Sequence, residues 1–500
     1  MRTHLLIGTS TLTLLAACAV GPRFQPPHPD VPTQWDGGAL EPTAALPSRI
    51  AAEALDAQWW QSFADPLLSE LVATARTANP DLEMATLRVA QSRRQREAVL
   101  GGRLPSVTAS ASYQRQRQSE HGTSTRLIDA IGAPGADRDA IIEVLSEPFD
   151  VYQAGFDAAW ELDLWGRVRR SIESATASLA ASTEDLHDAQ LSVTAETART
   201  YFDLRGVQDQ LRIAREEIAS NEDSLTLVEY RAAGGIVSEL DVITRRAQLA
   251  DARARIPQLE QRERQLTNAL ALLLGQAPGS LADKLATRTT VQPPARVAVG
   301  MPSEIARRRP DIRRAEARLH AATAEIGVAV ADLYPRISLT GGFLSQSLDA
   351  SDFTDWGSRQ WSVGPSLQLP LFDGGRRRAV IELRELQQQE AAVNYQRTVL
   401  RAWHEIDAML SAYAAEQRRH QELAIAVSAS KDAFDIAQLR YERGLTSNLV
   451  ALDAQRTWLQ AQRAYSDSST TIATQLVALY KSLGGGWEES SLPATAATPR

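Results

Sequence analysis

Thiols are nearly absent from this 500-residue chain, which has one cysteine, Cys18. A lone thiol forms no intramolecular disulfide and no multi-thiolate metal site, and its place near the N-terminus is wrong for a buried nucleophile. Positive charge is also short: 53 Lys and Arg stand against 61 Asp and Glu, a net charge of −8. With no basic stripe interleaved with aromatics, a nucleic-acid partner is excluded. After residue 17 no run of 18 apolar residues occurs, so no helix spans a bilayer and any crossing must be made by strands. The seven histidines (4, 28, 121, 187, 320, 404 and 420) are scattered. There is no His-Glu-x-x-His pair, no Gly-x-Ser-x-Gly elbow and no phosphate-binding Gly-x-x-x-x-Gly-Lys loop. Glu405 and Asp407 are close in sequence, but side chains two apart on a helix diverge, so they read as a solvated face. The chain is not expected to be an enzyme. Its 44% hydrophobic and 23% charged residues are those of a packed protein rather than a disordered one.

The N-terminus fixes a compartment. Residues 1–17 read as a secretory signal: Arg2 and His4, then Leu5, Leu6, Ile7, Leu12, Leu14 and Leu15, then Ala16 and Ala17 before Cys18. Leu15-Ala16-Ala17-Cys18 resembles a bacterial lipobox, which implies a lipidated Cys18 as the first mature residue. Ala19, rather than Asp, resembles the outer-membrane sorting choice. A diacyl anchor holds firmly, since each buried methylene adds about 0.8 kcal/mol.

The chain repeats itself once. Asn79-Pro80-Asp81-Leu82 recurs as Arg309-Pro310-Asp311-Ile312, and Leu104-Pro105 as Tyr334-Pro335, both 230 residues on. Further along the offset is 209: Gly166-Arg167 recurs as Gly375-Arg376, Gly235 as Gly444, and Leu274-Gly275 as Leu483-Gly484. The 21-residue difference falls between Pro105 and Gly166, where the first copy is longer. One duplication of this length implies two halves of a pseudo-symmetric unit rather than a solenoid.

Each copy reads as helix, hairpin, very long helix, tight turn, helix. The hairpins alternate with period two. Val107, Ala109, Ala111 and Tyr113 form one apolar set, and Phe156, Ala158, Trp160, Leu162 and Leu164 a second. Ile337, Leu339, Gly341 and Phe343 form a third, and Trp361, Val363, Pro365, Leu367, Leu369 and Leu371 a fourth. Four strands of about ten residues are long enough to cross a bilayer at a tilt. Their opposite faces are polar or small, as a wet lumen requires. Four strands leave two edges, which lipid forbids, so the barrel must close by sharing strands between subunits. A dimer gives eight strands and a trimer twelve, and spacing alone does not choose.

From Arg167 to Ala232 there is no proline, one glycine (Gly206) and an apolar seam of Leu204, Val207, Leu211, Ala214, Ile218, Leu225 and Val228. Its counterpart, Arg376 to Arg443, carries Val399, Trp403, Ile406, Leu410 and Tyr413. At about 1.5 Å per residue each is a rod of roughly 100 Å, which needs neighbours along its length.

These features together resemble the TolC-type outer-membrane efflux family, in its lipoprotein branch. The resemblance rests on Cys18-Ala19-Val20-Gly21-Pro22, Trp59-Trp60-Gln61-Ser62-Phe63 with Asp65-Pro66, Asn79-Pro80-Asp81-Leu82, Leu371-Phe372-Asp373-Gly374-Gly375, Leu452-Asp453-Ala454-Gln455 and Leu483-Gly484-Gly485-Gly486-Trp487, in that order. It implies a mainly α protomer with a transmembrane β-barrel, an internally duplicated chain whose homotrimer forms a 12-stranded barrel and a 12-helix periplasmic tunnel. Its function is then a passive exit duct for small molecules in the outer membrane of a Gram-negative bacterium. Its partners are a periplasmic adaptor and, indirectly, an inner-membrane pump. A duct for type I protein secretion is the neighbouring alternative, and a periplasmic coiled-coil adaptor or structural lipoprotein is the alternative of another class. No cofactor or metal is implied beyond the lipid on Cys18, and four methionines with one cysteine argue against a dedicated copper exporter.

The expected organisation is a signal peptide (1–17), an N-terminal anchor and equatorial linker (18–66), a first repeat (67–275, hairpin 105–164, helices 167–232 and 239–274), a linker (276–303), a second repeat (304–484, hairpin 335–371, helices 376–443 and 448–483) and a tail (485–500). By resemblance, the tips Gly235, Ile236, Val237, Ser238, Gly444, Leu445, Thr446 and Ser447 dock the adaptor; read alone they are turns, with glycine supplying positive φ. The pore constriction lands on Val450 and Asp453, three apart and so on one helix face. Some relatives are acidic at the Val450 position, so a double acidic ring is missing here. A latch is expected between Asp241 and Tyr441, weakened because Thr446 stands where some relatives carry an arginine.

Overall fold

The computed structural model describes residues 19–27, 49–51, 53, 56–122, 138–286, 294–300 and 308–487. Cys18, the signal segment 1–17 and the end of the tail lie outside the described residues. Two compact units form, one from the segments 1–25, 93–177 and 320–390 and the other from 26–92, 178–319 and 391–500.

In chain order the elements are β1 (Arg49–Ala51), α1 (Pro66–Ala78), α2 (Pro80–Leu100), β2 (Ser106–Gln116), α3 (Arg138–Ser146), β3 (Phe149–Glu161), α4 (Arg167–Ala233), α5 (Glu239–Leu273), α6 (Ala282–Ala286), β4 (Arg296–Ala298), α7 (Pro310–Ala331), β5 (Arg336–Ser347), β6 (Arg359–Gln368), α8 (Arg376–Glu442) and α9 (Asn448–Ser482). The short β1 and β4 pair in parallel.

The first unit is built on an antiparallel sheet of order β2-β3-β5-β6. Its register puts Ala109 opposite Phe156, Phe156 opposite Phe343, and Phe343 opposite Trp361. Because side chains alternate, Val107, Ala111, Tyr113, Ala158, Trp160, Leu339, Gly341, Val363, Pro365 and Leu367 share that face. The other face carries Ser106, Thr108, Ser110, Ser112, Gln114, Gln153, Asp157, Ser338, Thr340, Gln346, Ser362, Ser366 and Gln368. The apolar face is exposed in the protomer: Val107, Phe156, Phe343, Trp361 and Val363 all stand in the open. β2 and β6 are the unpaired edges.

Two strands stop short of the expected apolar runs. β3 ends at Glu161, before Leu162 and Leu164, because Asp163 turns its carboxylate to the backbone N–H groups of Val168 and Arg169 and so starts α4, each at 2.9 Å. β6 ends at Gln368, before Leu369 and Leu371, where Pro370 has no N–H to offer a ladder. Inside the longer first hairpin lies α3, which periodicity did not announce.

The second unit packs around Trp59, Trp60, Phe63, Leu68, Leu71, Phe202, Leu270, Ile406, Leu410, Leu476 and Tyr480. Burying each large apolar side chain contributes about 1.5–3 kcal/mol. The segment Trp59–Phe63 is a 3-10 turn whose first indole stacks on Tyr480 at 5.0 Å and donates to the Gly485 carbonyl at 3.1 Å. Asp65 then caps α1, accepting from Leu67 and Leu68, while Pro66 sits at the first helical position, where its missing N–H costs nothing.

The duplication is visible as chemistry. Asn79 Nδ2 donates to the Leu273 carbonyl at 2.8 Å, and Arg309, its counterpart, donates to the Ser482 carbonyl at 2.6 Å. In each copy the residue before the Asp-containing helix start ties that start to the end of the return helix. The second tie is ionic: Arg309 also reaches Asp311 (2.8 Å) and Glu405 (3.0 Å). Burial alone would raise the Asp311 pKa, but the Arg309 hydrogen bond and charge outweigh it and hold the carboxyl below the ordinary range. The solitary Gly206 in the α4 seam has an equally local cause. A Cβ there would meet Thr470 of α9, 2.8 Å from Cγ2 and 3.1 Å from Cβ, so only glycine lets α4 and α9 approach.

Two outcomes follow. Gly206→Ala gains about 1 kcal/mol of helix propensity but overpacks the contact by about 1–3 kcal/mol, so the melting temperature should fall, and adding Thr470→Ala should restore it. Asp311→Asn should cost about 1–2 kcal/mol at neutral pH. Because a depressed carboxylate pKa stabilises above the unfolded value of about 3.9, the melting gap to wild type should close as pH falls below about 4.

Candidate functional site

The residues singled out in the sequence cluster at two helix reversals of the second unit. At the first, Gly235 N–H donates to the Ala232 carbonyl (2.9 Å) and Ile236 N–H to Arg231 (2.9 Å). At the second, Gly444 donates to Tyr441 (3.0 Å) and Leu445 to Arg440 (2.8 Å). Both are Schellman terminations, and both glycines are left-handed, with φ of 71° and 73°. Neither would meet another atom within 4 Å through a Cβ, so backbone conformation alone demands glycine there.

The turns present apolar surface. Ile236, Leu240, Leu445 and Leu449 are exposed by 66–75%, Val237 and Thr446 are half-buried, and Ser238 and Ser447 lie open at the helix starts.

The two starts differ. Ser238 opens α5 with a capping box, its N–H and hydroxyl both donating to Asp241 Oδ2, at 3.2 and 3.0 Å. Ser447 opens α9 with no side-chain cap, and the reciprocal position is Val450, which has no acceptor to return a bond to the Ser447 N–H. Val450 and Asp453 share the exposed face of α9, while Asn448, Ala451, Leu452 and Gln455 face inward. The Asp453 carbonyl accepts from Thr457 one turn on, and its carboxylate forms no ion pair among the described residues.

The expected hydrogen bond between Asp241 and Tyr441 is not made within the chain. Asp241 spends one oxygen on the Ser238 cap and receives Asn448 Nδ2 on the other at 3.4 Å. Tyr441 is buried, its hydroxyl lacks a partner, and Arg231 lies over its ring at 5.1 Å.

Between them sits a residue the sequence reading passed over. Arg245 is 1% exposed and donates to Asn448 Oδ1 at 2.9 Å and to Gln455 Oε1 at 3.1 Å, both on α9. Gln455 passes the chain on to Asn221 and Ser220 of α4, at 3.3 and 3.4 Å. Burial pulls the guanidinium below its ordinary pKa, opposed by Tyr441 and Asp241. The signal was legible: Val242, Arg245, Leu249 and Ala252 are buried at spacings of three, four and three, so a charged residue occupies the apolar seam.

In the first unit the described chain begins immediately after Cys18 and is clamped at once. Val20 N–H donates to the Trp165 carbonyl at 3.1 Å, and Arg170 donates to the carbonyls of Val20 and Gly21, both at 3.3 Å. Gly21 lies against Gly327, where a Cβ would come within 2.6 Å of its Cα, and Phe24 stacks on His320 at 4.3 Å. Among the described residues no group of three or more His, Cys, Asp or Glu could hold a metal ion, and no helix is long and apolar enough to cross a membrane.

Since the Tyr441 hydroxyl has no partner, Tyr441→Phe should leave the unfolding free energy within about 0.5 kcal/mol of wild type or raise it. A loss above 2 kcal/mol would show that the hydroxyl is bonded.

The sequence model for outer membrane efflux proteins matches residues 71–276 and 301–485. Outer membrane protein OprJ of Pseudomonas aeruginosa is 34% identical over 487 residues, 96% of each chain. SilC of Salmonella typhimurium, described as a probable outer membrane lipoprotein, is 29% identical over 492 residues, 97% of this chain and 99% of its own. The solved outer-membrane channel OprN matches with a TM-score of 0.83 at 35% identity, covering 94% of this chain and 100% of that one. The chain belongs to the outer membrane efflux protein family, and it is an outer-membrane efflux channel of TolC-like fold.

Proposed function

We propose that three copies of this chain, each anchored through a lipidated Cys18, form the passive exit duct of a tripartite efflux pump, energised by its inner-membrane partner. The sheet carries this reading. It has an apolar face, a hydroxyl- and amide-lined face, and two edges whose backbone groups are unpaired. Each such group costs several kcal/mol in hydrocarbon, and three copies of a four-stranded sheet satisfy them all in a twelve-stranded cylinder wide enough for water. The clamped segment after Cys18 supports the anchor: it meets the chain at Trp165, whose indole donates to the Pro335 carbonyl (2.9 Å) and stacks on Tyr334 (4.8 Å), an aromatic pair of the kind found at bilayer interfaces.

Gly235, Ile236, Val237, Ser238, Gly444, Leu445, Thr446 and Ser447 would offer their aliphatic surface to a periplasmic adaptor. Val450 and Asp453, on the α9 face left uncovered by the protomer, would become two rings under threefold symmetry, one resisting wetting and one attracting cations. The Asp241 and Tyr441 latch takes a revised form, in which Asp241 braces the first turn and reaches the second hairpin through Asn448.

Purified protein should migrate as a heat-modifiable trimer and conduct ions in planar bilayers. Asp453→Ala should raise single-channel conductance about twofold or more, or abolish cation preference. Unchanged conductance and selectivity would retire the gate, and a wild-type protein that does not conduct would retire the duct.

A further inference from the structure

The geometry points to Arg245 as the positioning residue of the gate, a tie between the two hairpins that is built to be undone; this rests on the reading of Val450 and Asp453 as the constriction. Its two amide partners, Asn448 and Gln455, bracket that segment of α9, two residues before Val450 and two after Asp453. Arg245 therefore grips the gate strip from behind, while Gln455 carries the grip to Asn221 and Ser220 on α4. Asn448 is also the residue that Asp241 receives, so the cap of the first turn and the start of the second return helix meet at one side chain.

The choice of partners gives the tie its character. Arg245 is a buried cation whose hydrogen bonds run to neutral amides, and no described carboxylate forms an ion pair with it. Its Nε has no partner, nor has the buried hydroxyl of Tyr441 nearby. A buried carboxylate opposite Arg245 would make separation costly, because it would expose two strongly attracted charges. The Asp241 carboxylate that favours its charge lies on its own helix and stays with it, so across to α9 the neutral amides hold the guanidinium only as far as directed hydrogen bonds do. When α9 moves away, water satisfies Arg245, Asn448, Gln455 and Tyr441 together, and the hydration regained offsets the bonds lost. Two arrangements are thus close in free energy, one tied and dry, the other parted and hydrated, which is the property a gate moved by a docking partner requires.

Two substitutions with opposite expected signs test this in planar bilayers, without an adaptor, on protein that migrates as an intact trimer. Arg245→Met keeps the length but leaves the Asn448 and Gln455 acceptors buried and unpaired, so it should raise channel open probability about tenfold, with Arg245→Lys intermediate because one ammonium serves one amide well. Gln455→Glu turns the neutral partner into a carboxylate; it gives up the long bond to Asn221 Oδ1, but Ser220 can donate to it and the ion pair with Arg245 should lower open probability below wild type. A purely structural role would lower the melting temperature in both without opposite effects on conductance. The inference is overturned if wild type conducts and the two variants match it or shift the same way. If Arg245→Met does not assemble, Gln455→Glu decides alone. A wild-type protein that does not conduct overturns the channel reading instead.

Discussion

Backbone N–H and C=O groups at the margins of a sheet have no water to turn to inside a bilayer, and the rest of this protein is arranged around that fact. The four-stranded sheet has one face that wants hydrocarbon and one that wants water, and β2 and β6 remain open to a neighbour. A protomer with those edges is an incomplete object. The exposed Val107, Phe156, Phe343 and Trp361 are anomalous on a soluble surface and ordinary on a lipid-facing one.

The second unit solves a different problem, holding long helices in register. Trp59, Phe63, Tyr480 and their neighbours supply the core, and each repeat adds a polar tie at the helix start. The two ties have diverged, a neutral amide at Asn79 and an ionic node at Arg309. Glu405, which reads in the sequence as a solvated carboxylate, is one of the two carboxylates in that node. Duplication supplied the frame, and substitution at equivalent positions gave the halves different strengths.

Much of the fold was legible because two periods are hard to counterfeit. Period-two alternation set the sheet faces, and the register groups the apolar residues as the alternation implies. The long helices followed from seams free of proline. Strand ends were less visible, because Asp163 and Pro370 act through local capping and a missing donor, not through hydrophobicity. The tips were findable from paired glycines, yet their interior was not. A sequence shows Asp241 and Tyr441 as plausible partners, but it does not show that Ser238 already occupies the aspartate. Arg245 escaped notice because a charge at a seam position looks like noise until the amides facing it are seen.

The unlike openings of α5 and α9 carry a consequence for how the chain loosens. The third helical residue after Ser238 is an acid that clasps the backbone in front of it, whereas the corresponding residue after Ser447 is Val450, whose side chain cannot clasp anything. The return rod of the second half therefore has no clasp of its own and is fastened at its start through Asn448 to Arg245 and Asp241 of its twin, so its hold is borrowed from the other half.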